Sequence, residues 1–95
     1  MTLDVIGCTS NVIYIDRELA KIYVANAGDS RCVMGKGGEA VEMSIDHKPT
    51  GQIEIDRITK AGSMITQGRV DGGLNLTRSL GDLKYKARDH LSPEE

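Results

Sequence analysis

The stretch "VANAGDSRCVMG", Val24 to Gly35, decides how the rest of the chain is read. A run built like a strand stops at Ala27-Gly28-Asp29-Ser30 and resumes as a second apolar run over Arg31 to Met34. A carboxylate directly after a glycine, at the end of a strand, is held on rigid backbone and presented at the sheet's edge. That mount suits a hard divalent cation, because Mg2+ and Mn2+ take oxygen ligands and keep several waters. It suits equally well an Asp that bonds its own turn. Residue types alone leave both readings of Asp29 open.

Upstream of the break, Val12-Ile13-Tyr14-Ile15 and Ile22-Tyr23-Val24-Ala25 flank the polar Asp16-Arg17-Glu18, which reads as a hairpin. Both runs are apolar on successive residues, so the pattern predicts strands covered on both faces. Downstream, Gly35-Lys36-Gly37-Gly38 forms a loop and Ala40 to Ser44 a fourth run, and an antiparallel meander is the simplest topology. Asp46-His47-Lys48-Pro49 ends strand character, since proline lacks a ladder donor and restricts the residue before it. Thr50 then caps a helix over Gln52 to Ala61, with Ile55, Ile58 and Ala61 at three-residue spacing, Asp56 facing Lys60, and Gly62 at the stop. Met64 to Val70 reads as a strand, Asp71-Gly72-Gly73 as a tight turn, and Leu74 to Leu80 as a segment ending at Gly81-Asp82. The predicted class is α+β: core strands over 7–45, a helix and further strands over 50–82, and a polar tail over 86–95.

Composition bounds this picture. A chain of 95 residues supports one core and buries roughly 60–65% of the surface its unfolded form exposes. With no Trp, no Phe and three Tyr, that core is thin or is part of a larger one. The formal net charge is -2 with both signs interspersed, which gives no nucleic-acid footprint. No charged-then-apolar leader and no apolar run near the roughly 20 residues of a membrane span is present, so the expectation is a soluble intracellular chain, cytoplasmic or nuclear. Cys8 and Cys32 lie in strand-like segments without metal-ligand spacing and read as reduced, buried thiols.

Other candidate groups carry the same two-sided reading as Asp29. Asp46 and His47 form an acid–base pair on paper, but their His-Lys-Pro context also reads as a loop satisfying backbone atoms. Asp82 after Gly81 fits a turn or cap. Arg69, between Gly68 and Val70, presents a guanidinium to phosphate or simply to solvent. A metal-assisted hydrolase needs carboxylates or histidines converging on its ions, and no Asp-x-Asp, His-x-His or Cys-x-x-Cys pair occurs. One edge-mounted Asp does not make an active site.

The order of the segments is itself informative. "GCTSNV", "VANAGDSRCVMG", "MSIDHKP", "EIDRITKAGS", "GRVDGGLNLTRSLGD" and "YK" resemble, in order and spacing, the middle of the catalytic domain of the protein phosphatase 2C family, the metal-dependent serine/threonine phosphatases. The resemblance runs from Gly7 to about Tyr85. Within the family, "SRCV", "MSIDHKP", "GGLNLTRSLGD" and "LSPEE" look most like the gamma type, with protist and plant forms sharing the look.

The resemblance implies a two-layer β-sandwich flanked by helices, of which this chain supplies part. It implies a phosphatase that hydrolyses phosphoserine and phosphothreonine in protein substrates through a water activated by Mn2+ or Mg2+. Asp29 matches the position that helps hold a further, weaker cation, and Arg69 lies in the flap region beside the active site, where it meets a phosphopeptide. Asp46, His47 and Asp82 match positions that shape the core and loops. The family's principal metal ligands come from an early Asp-Gly-His-Gly and from late Asp-Gly and Asp-Asn segments that do not occur here, so the chain alone is expected to be an inactive fragment with no catalytic residue of its own. The alternative is a pseudophosphatase-like module that binds partners. Asp71 stands where the family commonly has Asn and adds negative charge on the presumed substrate side. Uncovered apolar strands further predict self-association.

Overall fold

The computed structural model describes residues 3–92. Residues 93–95 of the expected polar tail therefore lie outside the described part. The class is α+β, with antiparallel strand pairs and one helix, as read from the sequence.

Seven-residue strands β2 (Ser10–Asp16) and β3 (Lys21–Ala27) form the hairpin expected from the two apolar runs, in register from Ser10↔Ala27 to Asp16↔Lys21. Its turn is fixed by Asp16 Oδ1, which accepts the Leu19 N–H at 3.0 Å. A second hairpin pairs β4 (Val33–Lys36) with β5 (Glu39–Glu42) across a two-residue Gly37-Gly38 turn. These hairpins do not join into a continuous meander. Each sheet has two strands, and of the residues between β3 and β4, Gly28 and Arg31 bond to a strap over residues 45–47 while Cys32 bonds to Met43 and Ser44 just past β5.

The amphipathic helix α1 covers Gln52–Lys60 with Glu54 and Ile58 buried. Gly51, not Thr50, is the N-cap, in extended conformation and without a side-chain bond. Asp56 also takes the Gln52 amide, four residues before it, at 2.7 Å. The segment read as one strand over 64–70 is a small hairpin, β6 (Ile65–Thr66) against β7 (Arg69–Val70), because Gln67 and Gly68 both adopt positive φ and fold it back.

A pairing between distant parts of the sequence draws the two ends of the chain together. Strand β1 (Gly7–Cys8) lies antiparallel to β8 (Leu80–Gly81), pairing Gly7 with Gly81. The approach requires glycine on both sides: a Cβ on Gly81 would overlap the Ile6 carbonyl and one on Gly7 the Asp82 carboxylate.

Few apolar side chains are enclosed. Ile58 and Val70 are the buried hydrophobic residues among those described, while Val12, Ile13, Tyr14 and Ile15 are all exposed. The strands are thus uncovered on both faces within this chain, although their sequence is that of strands covered on both. The radius of gyration, 15.8 Å, exceeds the roughly 12 Å of a compact domain this long, in keeping with a core that does not close on itself. Among the described residues no helix is long and apolar enough to cross a membrane.

Candidate functional site

The break after β3 is held by hydrogen bonds from three directions. Gly28 donates its N–H to His47 Nδ1 at 3.0 Å, and its carbonyl accepts the His47 N–H at 2.9 Å. Asn26 Nδ2 donates to both the Gly28 carbonyl, at 3.2 Å, and the Ile45 carbonyl, at 2.9 Å. The His47 carbonyl in turn accepts the Thr77 N–H at 3.0 Å, which ties the strap to the C-terminal half. Gly28 has φ +116, and a Cβ there would run into the Thr9 side chain, so no larger residue fits this junction.

The geometry places Asp29 at the strand end with its side chain about 25% exposed. Its Oδ2 lies 3.6 Å from Lys48 Nζ. Asp46 and His47 do not form an acid–base pair. Arg31 grips Asp46 in bidentate fashion, Nε to Oδ1 at 3.1 Å and Nη2 to Oδ2 at 2.7 Å, and holds its carboxyl below the usual range. His47 serves the Gly28 backbone, as the loop reading anticipated.

Arg69 is exposed at the start of β7, and its Nη1 donates to the Gly73 carbonyl at 2.8 Å. One of its five N–H donors is thereby used on the adjacent turn. Asp71 is exposed, and its carboxylate is engaged locally: it accepts the Met64 N–H and the Ser63 hydroxyl, each at 3.0 Å. The Met64 bond leads in lowering its pKa, with Ser63 and the Arg88 charge acting in the same direction against burial. Asp82 is buried, in the left-handed region at φ 51, and caps the short 3-10 turn Leu83–Tyr85 while its N–H bonds the Ile6 carbonyl at 2.8 Å. Cys8 is exposed and Cys32 half-buried, neither in a disulfide, so the expected burial of both thiols does not occur within this chain.

Sequence reasoning missed one cluster. Glu54 is buried on α1, where Arg78 meets it through Nε and Nη2, the latter at 2.8 Å, and Arg57 Nη2 at 3.0 Å. Burial pushes its pKa up, but the bonds from Arg78 and Arg57, with the nearby Thr77 hydroxyl, outweigh that and hold it down at about 2. Arg57 Nη2 also donates to the Thr77 carbonyl at 2.8 Å. Thr77 Oγ1 acts on Glu54 in the same direction, yet it is buried without a partner at hydrogen-bond geometry. A signal was available, since Glu54, Ile58 and Ala61 fall at i, i+4 and i+7. A carboxylate in that apolar stripe calls for a cationic partner.

A cleft of about 530 Å3 opens beside this cluster, lined by Ile58, Val70, Leu74, Leu76 and Tyr85 with Arg57 and Arg88 among its polar residues. Neither Asp29 nor Arg69 lines it. Among the described residues no group of three or more His, Cys, Asp or Glu converges to hold a metal ion. Asp29 fits a divalent cation as one oxygen ligand on a fixed backbone, and it fits only as one ligand of a set.

Comparison with known proteins agrees with the motif order. The family profile for Protein phosphatase 2C matches residues 2–94. A probable protein phosphatase of Drosophila melanogaster is 54% identical over 90 residues, which are 94% of this chain and 13% of that protein. Protein phosphatase 1G of Homo sapiens is 54% identical over 76 residues, 79% of this chain and 14% of that protein, in keeping with the gamma-type resemblance. The crystal structure of a phosphatase from Toxoplasma gondii superposes with a TM-score of 0.69 at 26% identity, covering 95% of this chain and 39% of that one. The chain thus spans a minor part of each of these proteins.

Proposed function

The chain belongs to the protein phosphatase 2C family, and from that membership we propose that it forms part of a metal-dependent enzyme that hydrolyses phosphoserine and phosphothreonine in protein substrates. The observation that carries this reading is the ordered run of motifs matched along residues 2–94. When bound, Mn2+ or Mg2+ supplies an activated water for attack on the phosphoryl group. Asp29 contributes a carboxylate ligand, held in place by the clamp of His47 on Gly28. Arg69 offers the phosphopeptide those guanidinium donors that Gly73 leaves unused, and its planar fork suits a phosphate. The remaining ligands come from outside these residues, so these 95 residues alone do not turn over. The site of action is intracellular.

Hydrolysis of a phosphothreonine peptide with millimolar Mn2+ tests this. Turnover is expected from a longer polypeptide carrying the flanking sequence, and Asp29→Ala in that context abolishes it. Turnover by the 95 residues alone would overturn the need for outside ligands.

The exposed apolar strands favour a second reading, a partner-binding module without catalysis. Stoichiometric binding of a protein partner by the longer polypeptide, with no hydrolysis, would select it. Under either reading the isolated chain self-associates through these strands, and light scattering is expected to report a dimer.

A further inference from the structure

We infer that Asp71 is a positioning residue for phosphopeptide capture, holding the β6–β7 hairpin and the turn after it in the arrangement that presents Arg69, an inference that rests on the proposed reading of Arg69 as the phosphopeptide contact.

A hairpin of two-residue strands is marginal in water on its own, so its ends must be held. Gln67 and Gly68, both with positive φ, close one end. At the other end the position beyond Ile65↔Val70 sets Met64 against Asp71. The first bond there is ordinary, the Asp71 N–H to the Met64 carbonyl at 2.7 Å. The return bond differs. The backbone leaves the ladder at Asp71 in the left-handed region, φ 48, and carboxylate Oδ1 accepts the Met64 N–H at 3.0 Å in place of a backbone carbonyl.

The same residue belongs to the turn that braces Arg69. Residues 71–73 loop out between Val70 and Leu74, which bond each other in both directions at 2.7 and 3.2 Å, and the Gly73 carbonyl in that loop accepts Arg69 Nη1 at 2.8 Å. Asp71 Oδ2 anchors the loop: it accepts the Ser63 hydroxyl at 3.0 Å, and Ser63 Oγ accepts Arg88 Nη2 at 2.9 Å. Ser63 is itself buried just past α1, with its N–H on the Ile58 carbonyl at 3.1 Å. A hydroxyl that receives a guanidinium N–H and donates its own proton to a carboxylate is polarised by both, which strengthens each bond. An amide at position 71 still accepts from Met64, but it then turns an N–H toward an oxygen that already receives one. The carboxylate is what completes the relay from Arg88.

Loss of Asp71 frees the hairpin base and its anchor together and leaves the Arg69 side chain chemically intact. The guanidinium then has more orientations open to it, and a phosphopeptide must order it on binding. The effect falls on substrate binding and not on attack by water.

The test is phosphothreonine-peptide turnover by the longer polypeptide with millimolar Mn2+, with kcat and KM read separately. Asp71→Ala is expected to raise KM about fivefold with kcat within about twofold, the size set by loss of a net hydrogen bond's contribution to ordering. Arg69→Ala is expected to raise KM about tenfold. The double variant is expected to exceed Arg69→Ala by less than about twofold, since Asp71 then has nothing to position. Destabilisation alone would lower the apparent kcat through loss of folded enzyme and leave KM in place. If Asp71→Ala shows no cooperative melting transition, Asp71→Asn tolerates the positive φ, keeps an acceptor for Met64 and carries the same comparison, with an expected rise of about threefold. An unchanged KM in Arg69→Ala would overturn the reading of Arg69, and the role of Asp71 with it. A raised KM in Arg69→Ala beside an unchanged KM in the Asp71 variants would overturn the positioning role alone. Increases that multiply fully in the double variant would overturn action through Arg69.

Discussion

In the β2–β3 hairpin Val12 is 56% and Tyr14 62% exposed, whereas in the helix and the segment after it Glu54 is 7% and Asp82 8% exposed. The hairpin leaves its hydrophobic side chains in water, and the second half encloses two of its carboxylates, Glu54 and Asp82. The hairpin is held by ladder bonds and by cross-strand pairs such as Tyr14 with Tyr23, ring centroids 6.0 Å apart. The second half is held by charge-assisted bonds that converge from α1 and the 77–78 segment. A chain that spans part of its relatives keeps local ladders and polar clasps intact, because both close within short stretches of sequence. Burial of the hairpin faces is what such a stretch cannot supply for itself.

Substitutions sharpen that contrast, beginning with the largest effect. Glu54→Gln removes the buried negative charge shared by Arg57 and Arg78 and leaves two partly exposed guanidinium groups facing each other without a counter-ion, with an expected loss of about 3 kcal/mol in a denaturant titration. Its pH signature has a defined sign. The Glu54 pKa lies at about 2, below its ordinary 4.5, so the carboxylate's stabilisation is complete above about pH 4.5 and disappears as pH falls toward 2. Thermal unfolding between pH 6 and pH 3 is expected to shift less in Glu54→Gln than in wild type, with the lowered pKa of Asp71 leaving a residual slope in the same direction.

Next comes the junction between the two halves. Gly28→Ala places a Cβ into the Thr9 side chain at φ +116, with the Arg78 carbonyl 3.1 Å away. A cost of about 2 kcal/mol is expected from strained backbone and overpacking, read from the same titration. The hairpin is predicted to respond oppositely. Ile13→Thr, at a side chain 53% exposed, is expected to cost less than about 0.5 kcal/mol and to raise the monomer fraction in light scattering. A loss comparable to that of Glu54→Gln would break the contrast, since it would place Ile13 in a packed core. The smallest effect is that of Arg69→Ala, expected to leave the melting temperature unchanged within error while weakening capture of a phosphothreonine peptide by the longer polypeptide.

Much of the local structure was legible in the sequence. The β2–β3 hairpin, the β4–β5 hairpin and the helix from Gln52 follow from runs of branched residues, turn residues and three-residue spacing, all of which act over a few neighbours. Gly28-Asp29 could be read as a deliberate break for the same reason. The pairing of Gly7 with Gly81 and the closure of Glu54 on Arg78 were not legible, because residues 24 positions or more apart leave no periodic trace in either segment. Asp71 shows the same limit from another side: its charge suggested an outward, substrate-facing role, and its carboxylate is turned back onto Met64 and Ser63.

The sequence by itself determined the family, the class of fold and the identity of Asp29 and Arg69 as candidates, because motif order and local turn chemistry are properties of contiguous residues. Only the tertiary structure decided that His47 clamps Gly28, that Lys48 stands beside Asp29, and that a buried carboxylate on α1 ties the helix to the 77–78 segment. Those contacts join segments 19 to 24 residues apart, and which polar groups meet across such distances depends on how the backbone closes.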